Sequence, residues 1–204
     1  LAAQRFGDAQ DVAKALEAVD VAIKRADQRI DLYEYKGRIL EFKKDFAAAA
    51  KAYRMVLGLK ALTDDTAGNV AGGLYRCRAA DQNWKALAGD FQVWTKKHPK
   101  TELGDWWQGY AQALGGDHSG SLASFKKLAK LSQRYRPEAL LYQGMALKNL
   151  NKPEDSIKVL KEAAGFSDYA WSDDTRRPVY QMRAVMGTYF GRGDFAKAIE
   201  VGEK

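Results

Sequence analysis

Apolar residues between positions 36 and 60 recur every three or four positions, with one interruption near Lys44. This spacing places them on one face of an amphipathic α-helix on each side of the interruption. Because the pattern does not continue through the break, the segment predicts two helices joined by a tight turn. The apolar positions are Leu40, Phe42, Phe46, Ala49, Tyr53, Val56 and Leu57.

The second of these helices recurs along the chain, giving five copies in all. Each copy usually starts with a ring-bearing residue and usually has a large apolar residue seven positions later. The position three residues after the start lies on the same helix face as these two. The copies begin at Phe46, Trp84, His118, Pro153 and Phe195, at intervals of 38, 34, 35 and 42 residues. Periods in this range indicate stacked helix pairs, each too small to bury its apolar face alone.

Capping residues mark the starts of the first helices of these pairs. Thr63 and Thr101 precede acidic residues, Pro137 precedes a glutamate, and Ser172 precedes two aspartates, which is typical of helix N-termini. The whole pattern predicts eleven helices, at about 11–28, 30–42, 45–59, 64–80, 83–97, 101–114, 118–132, 137–149, 153–164, 173–190 and 194–204. Since the helix at 11–28 aligns with the second helices, we expect a single array over residues 1–204, with about five helix pairs and a partial leading repeat, as a fragment of a longer protein.

The net charge of +7 bears on the choice of partner. A basic surface attracts nucleic acid, anionic membranes or acidic proteins. In this chain the lysines are spread through most helices and do not form one block, which is typical of a solvated surface. No apolar run approaches the roughly 18 residues that a membrane span requires. We therefore expect no membrane span.

The N-terminus and the cysteine content leave the compartment undetermined. Cys77 is the only cysteine, which excludes an internal disulfide and a zinc site with several cysteines. Residues 1–10 lack the apolar core of a signal peptide, but the first residue is not Met, so a targeting segment preceding Leu1 is compatible with the sequence. Cytoplasm and periplasm both fit this pattern.

No catalytic, metal or cofactor site is expected. His98 and His118 have no Cys, His or Glu at ligand spacing, and no nucleophile with a partner base is visible. The chain also lacks a Walker loop and a dinucleotide-binding glycine motif. The tripeptide at 192–194 spells an integrin-binding motif, but its residue types are those of a tight turn between paired helices. The sequence therefore predicts a protein that is not an enzyme.

In its repeat pattern the chain resembles the tetratricopeptide repeat family. In the first full copy Tyr33, Gly37, Leu40, Ala49 and Tyr53 match the family signature. Later copies match at Trp84, Phe91, Pro99, Gly109, Gly116, Phe125, Leu140, Gly144, Leu147, Leu160, Tyr189, Gly193, Phe195 and Ala198. The resemblance implies an all-α, right-handed α-solenoid of antiparallel helix pairs.

Three positions depart from the family pattern. Lys44 stands where glycine is common, and Ser121 and Ser156 stand where alanine is expected. The spacing also resembles that of pentatricopeptide repeats, which read single-stranded RNA with a similar pair of selector residues in every copy. The corresponding first-helix positions vary freely here. We therefore expect nucleic acid not to be the partner.

The resemblance also implies where a partner would bind. In this family the first helices line a concave groove, and their contacts lie within about one turn of the position held here by Gly37 and Gly144. The expected partner-binding residues are Arg38, Arg76, Trp106, Tyr110, Met145, Lys148 and Arg183. This lining of aromatic and basic residues suits an acidic or amphipathic peptide. The alternative, equally weighted, is that Trp106 and Tyr110 pack between repeats.

The sequence predicts a non-catalytic scaffold that binds a peptide or helix of another protein in this groove. Chaperone-binding members of the family hold a C-terminal carboxylate at the places taken here by Glu34 and Arg38, and a glutamate there would repel it. Two alternatives remain open. One is self-association into a homo-oligomer, and the other is an array that positions substrate for an enzymatic domain elsewhere in a longer protein.

Overall fold

The computed structural model describes residues 9–26, 28–166, 185–189 and 191–202. Within these ranges the regular structure is helical and no strand is present. The helices are α1 (Ala9–Arg25), α2 (Ile30–Phe42), α3 (Phe46–Leu57), α4 (Asp64–Ala80), α5 (Trp84–Lys97), α6 (Glu102–Leu114), α7 (His118–Leu131), α8 (Arg136–Asn149), α9 (Pro153–Ala164) and α10 (Phe195–Gly202). The predicted all-α fold is confirmed.

The helix boundaries follow the sequence pattern closely. Each of the ten helices begins and ends within three residues of its predicted bounds. Of the remaining predicted helix at 173–190, residues 185–189 are helical, whereas most of that helix and the start signal at Ser172 lie outside the described residues. Turn residues and capping residues therefore located the helix ends along the described chain.

The chain divides into two compact units, Leu1–Gly104 (unit 1) and Asp105–Lys204 (unit 2). In unit 1, α3 packs against both α2 and α4, α1 packs against α2, and α5 contacts α3 and α4. In unit 2, α8 packs against both α7 and α9. Both units are thus built from helices that contact their neighbours in sequence, as stacked helix pairs require. A single array over residues 1–204 stays a prediction.

Second-helix aromatic residues contact the backbone of first helices at glycines. A Cβ atom added to Gly37 or Gly73 would lie 2.6 Å or 2.4 Å from the ring of Tyr53, and a Cβ on Gly109 would lie 2.8 Å from the ring of Phe125. Only glycine permits so close an approach. Both rings are fully buried. The signature glycines therefore let an aromatic ring fill the space between helices.

Two of the departures from the family pattern are buried serines. Ser121 and Ser156 are both inaccessible to solvent. The Ser156 hydroxyl donates a 2.8 Å hydrogen bond to the backbone carbonyl of Gly144, where the side chain of Leu160 also packs closely. Because a buried hydroxyl needs a partner, this bond explains how serine replaces the expected alanine at position 156. Nothing in the structure explains Ser121 in the same way.

The third departure, Lys44, lies in the turn between α2 and α3. Its φ of 60° is in the left-handed region, and Gly116 holds the equivalent turn position in unit 2 with a φ of 78°. In both turns the next residue caps the following helix, since Asp45 and Asp117 accept hydrogen bonds of 3.1 Å and 2.9 Å from the backbone N–H three residues on. The two turns share one conformation although only one has the glycine that favours it.

Asp64 caps a helix of the next pair. Its carboxylate accepts hydrogen bonds from the backbone N–H groups of Glu102 (2.8 Å) and Leu103 (2.9 Å) and from the Thr101 hydroxyl. Thr101 itself accepts from the backbone N–H of Gly104 at 3.0 Å. The predicted capping role of Thr101 is confirmed. Asp64 lies in the first turn of α4, yet its hydrogen bonds satisfy free N–H groups at the start of α6.

Candidate functional site: the first-helix faces

Four predicted contact residues occupy equivalent places on successive first helices. They are Arg38 on α2, Arg76 on α4, Tyr110 on α6 and Met145 on α8. Each directly follows the signature-glycine position, which holds glycine in α2, α6 and α8 and tyrosine in α4. We call the surfaces around these positions the first-helix face of each unit. Unit 1 contributes the two arginines, and unit 2 contributes the tyrosine and the methionine.

In unit 1, Arg76 is held by an ion pair with Glu41. The guanidinium Nε and Nη2 atoms donate to the two carboxylate oxygens of Glu41 at 2.8 Å and 2.9 Å. The hydroxyl of Tyr53 donates to the same carboxylate at 2.5 Å. This arrangement connects α4 to α2 and α3, so Arg76 serves the packing of neighbouring pairs. Its side chain is nevertheless 59% exposed and can still meet a partner.

The same network shifts the ionisation of its members. Burial, followed by the hydrogen bond to Glu41, raises the pKa of Tyr53 far above its ordinary value. The hydrogen bond to Glu41 raises the pKa of Arg76. Burial raises the pKa of the neighbouring Cys77 thiol to about 12, so the thiol is protonated at neutral pH and is a poor nucleophile.

Arg38 is the freer cation of the unit 1 face. Its side chain is exposed, whereas its neighbours Gly37 and Ile39 are buried. Within the described part of the chain it forms no ion pair, and the nearby Arg76 is neutralised by Glu41. Arg38 is thus the predicted contact residue in unit 1 whose charge remains available to an acidic group.

In unit 2, Trp106 lies mostly in the core. It is 9% exposed, its indole Nε1 donates to Glu138 at 2.8 Å, and its ring stacks on Tyr110 at 5.2 Å and meets Tyr142 edge-on at 6.0 Å. Packing between neighbouring pairs accounts for these contacts, so a partner could reach only an edge of the indole. Tyr110 is half-buried.

The helix α8 is open on one side only. From Pro137 to Leu147 its residues are buried, with the single exception of Met145, which is 47% exposed. Lys148, one turn further on, is also exposed and forms no ion pair among the described residues. The open side of α8 therefore presents an apolar side chain next to an available cation.

The remaining predicted contact residue, Arg183, lies outside the described residues. In the chain as described, no group of three or more His, Cys, Asp or Glu side chains is placed to hold a metal ion. The helices described here also include none with the length and apolar character needed to cross a membrane.

Sequence reasoning missed a cleft in unit 1 between α1, α2 and α3. The cleft has a volume of about 400 Å³. Its lining residues are Leu16, Asp20, Tyr33, Lys36, Leu40, Ala48, Lys51, Ala52 and Met55. We call it the α1–α3 cleft. The sequence signal that could have revealed it is Met55, an apolar residue outside the apolar face of α3 that Ala49, Tyr53 and Val56 define.

Comparisons with known proteins identify the fold. No family model matches the sequence, and no curated protein matches it significantly. Among solved structures, MamA matches with a TM-score of 0.63 and 13% identity, over 85% of this chain and 88% of that one. YrrB, described as a TPR protein with an unusual peptide-binding site, matches with a TM-score of 0.60 and 15% identity, over 91% and 89%.

BtubC from P. vanneervenii is also similar, with a TM-score of 0.64 and 11% identity, over 94% of this chain and 85% of that one. Identities this low carry information on fold and none on a shared partner. The helix pairs, the glycine–aromatic contacts and the structural matches agree with one another. The chain therefore has a tetratricopeptide-repeat-like α-solenoid fold built from divergent repeats.

Proposed function

We propose that the protein is a non-catalytic interaction scaffold that binds a peptide or helical segment of another protein on its first-helix faces. The observation that carries the proposal is the open side of α8, where Met145 is half-exposed although the other residues from Pro137 to Leu147 are buried. An isolated exposed methionine with an adjacent cation offers an adaptable apolar contact and a charge that fixes orientation.

The chemistry of these residues favours an acidic or amphipathic segment. In unit 2, an apolar side chain of the partner would pack on Met145 and the exposed part of Tyr110, and a carboxylate would pair with Lys148. In unit 1, Arg38 would make the equivalent contact with a carboxylate. Because the first helices are fixed by packing before the partner arrives, little side-chain and backbone entropy is lost on binding.

Affinity capture with matched variants tests the proposal. The wild-type chain, Met145→Glu, Lys148→Glu and the control Lys158→Glu would each be used as bait, with bound proteins identified by mass spectrometry. Lys158 is exposed on the second helix α9, so the control introduces the same charge change outside the first-helix face. We expect the two first-helix variants to reduce capture of a saturable partner by about tenfold, a change of about 1.4 kcal/mol.

Two results would count against the proposal. Equal capture by all four baits would show that the first-helix face of unit 2 makes no contact. If no other protein is captured and the molecular mass of the chain in solution rises with its own concentration, the result would favour self-association instead. Unchanged far-UV circular dichroism for each variant serves as the folding control.

A further inference from the structure

The α1–α3 cleft is distinct from the first-helix face of unit 1. Two of its three helices, α1 and α3, are second helices in the repeat pattern, and none of its nine lining residues is a predicted contact residue. All of them lie in unit 1. Its volume of about 400 Å³ is within the range of protein sites that accept a ligand or an anchoring side chain.

The α3 side of the cleft is two helical turns long. On α3 the lining positions are 48, 51, 52 and 55, and on α1 they are 16 and 20. These spacings correspond to two consecutive turns along α3, a length of about 10 Å. The half-buried Ala48 is small, so another helix can come close to α3, and the half-buried Leu16 supplies an apolar contact, whereas Ala52 and Leu40 are buried. Met55 is 49% exposed although it lines this apolar cleft.

The charges of the cleft favour an acidic occupant. Asp20 is already paired, since the Nζ atom of Lys36 lies 2.5 Å from its carboxylate. Lys51 is exposed and has no ion-pair partner within the described ranges. One positive charge therefore remains uncompensated at the edge of an apolar surface. A carboxylate beside an apolar side chain would complement both features.

We propose that the α1–α3 cleft docks an amphipathic helix of a partner protein, with an apolar face two turns long and an acidic residue that pairs with Lys51. Helices of this type bind grooves through side chains spaced three, four and seven residues apart, a span of two turns that equals the length of the lining of α3. Met55 adapts its shape to the apolar side chains of the partner helix. The site is independent of the first-helix faces, and the chain would hold two partner segments at separate surfaces.

A displayed library of helical peptides, each about 15 residues long, provides the probe. The library would be selected against the full chain, and the affinities of the enriched peptides would then be measured for Met55→Glu, Lys51→Glu and two controls. Lys85→Glu makes the same charge change at an exposed position on α5, outside the cleft. Leu131→Glu introduces a carboxylate at an exposed apolar position on α7, outside the cleft and outside the first-helix faces.

We expect enriched peptides with apolar residues over two turns and a flanking acid. Met55→Glu should weaken their binding about tenfold or more, whereas Leu131→Glu and Lys85→Glu should change it less than about twofold. Lys51→Glu should weaken binding about threefold or more, and replacing the acid of the peptide by lysine should restore the affinity for that variant. This reciprocal rescue would identify the contact between Lys51 and the acidic residue.

Other outcomes would overturn the proposal. Loss of binding with Leu131→Glu or Lys85→Glu and not with Met55→Glu would assign the peptides to another surface. Binding that Lys51→Glu does not change would exclude the charge pairing. A concentration-dependent mass that Met55→Glu abolishes would identify a second copy of this chain as the occupant. Enrichment of apolar peptides without any acid, or binding of a simple fatty acid with equal affinity, would also contradict it.

Discussion

The aromatic residue that packs between successive helix pairs is anchored differently in the two units. In unit 1, Tyr53 lies against Gly37 and Gly73, and its hydroxyl reaches Glu41. In unit 2, Phe125 takes the equivalent place against Gly109 and stacks on Tyr142, with ring centroids 4.7 Å apart and planes 10° from parallel. One repeat pattern thus accommodates a polar contact in one unit and an aromatic stack in the other.

Two sequence positions explain this difference. Gly73 and Tyr142 are equivalent in the repeat, so the first helix that follows offers backbone in unit 1 and a ring in unit 2. Glu41 and Ala113 are likewise equivalent, since each lies four residues after a signature glycine. A tyrosine at position 125 would therefore find no carboxylate at the place where Tyr53 finds one. The choice of tyrosine or phenylalanine therefore depends on the residues at both of these positions.

The largest expected effect comes from filling the glycine contact of unit 1. Gly73→Ala would place a Cβ atom 2.4 Å from the Tyr53 ring, and overpacking of this kind should lower the free energy of unfolding by about 1–3 kcal/mol. Gly72→Ala is the matched control, because its Cβ would meet only the side chain of Arg76 at 3.6 Å. The control should raise stability by up to about 1 kcal/mol through helix propensity. Denaturant unfolding measures the free energy of unfolding of both variants. An equal change in the two variants would contradict the close contact between Gly73 and the Tyr53 ring.

A smaller effect is expected from removing the hydroxyl contact. Tyr53→Phe should lower the free energy of unfolding by about 1 kcal/mol, because Glu41 keeps its ion pair with Arg76 but loses one hydrogen bond. Unfolding titrations at neutral pH measure this loss. Phe125→Tyr in unit 2 is the reciprocal control, and it should not stabilise the chain. Stabilisation by that variant would show that the carboxylate is not needed.

The same hydroxyl predicts a dependence of stability on pH. The pKa of Tyr53 is raised in the folded chain, whereas an unfolded tyrosine ionises near pH 10 with about its reference pKa. Above about pH 10 the unfolded chain therefore binds fewer protons at this residue than the folded chain does, and stability falls as pH rises. Tyr53→Phe should remove this contribution. We expect the stability advantage of the wild-type chain over Tyr53→Phe, measured by denaturant unfolding between about pH 8 and 11, to shrink as pH rises. An advantage that stays constant over this range would contradict a raised pKa for Tyr53 in the folded chain.

The smallest expected effect concerns the turns of the two units. Lys44→Gly would give the α2–α3 turn the residue that Gly116 supplies in unit 2, and it should raise stability by about 0.5–1 kcal/mol by relieving the left-handed backbone. Gly116→Lys should have the opposite sign. A thermal melt resolves both changes. A loss of stability in Lys44→Gly would mean that the lysine side chain contributes more than its backbone strain costs.

The sequence pattern predicted what depends on nearby residues. Helix ends follow from capping and turn residues, so Thr101 and the turn at Lys44 were located without the structure. Contacts between helices were harder to predict from the sequence. The ion pair of Glu41 with Arg76 joins residues 35 positions apart, and no feature of either local segment singles out the other as its partner.

The same reason explains what the sequence left open or missed at the candidate sites. Trp106 has the spacing of a surface contact residue, but its burial depends on Glu138 and Tyr142 of the next pair. Asp64 reads as a first-turn acid of its own helix, and only the structure shows that it caps α6. The α1–α3 cleft is formed by residues of three helices, so no single helical segment of the sequence indicates it. Local pattern determines which face of a helix is apolar, whereas the neighbouring helices determine how much of that face stays open.

Photochemical cross-linking tests the binding role of the first-helix face most directly. A photoreactive phenylalanine derivative would replace Met145 on α8 in one chain and the exposed Lys158 on α9 in another. Both chains would be irradiated in native lysate and the adducts mapped by mass spectrometry. We predict a specific adduct with a segment of another protein from position 145 and none from position 158. Adducts of equal yield from both positions, or from position 158 alone, would contradict the assignment of the first-helix face as the binding surface.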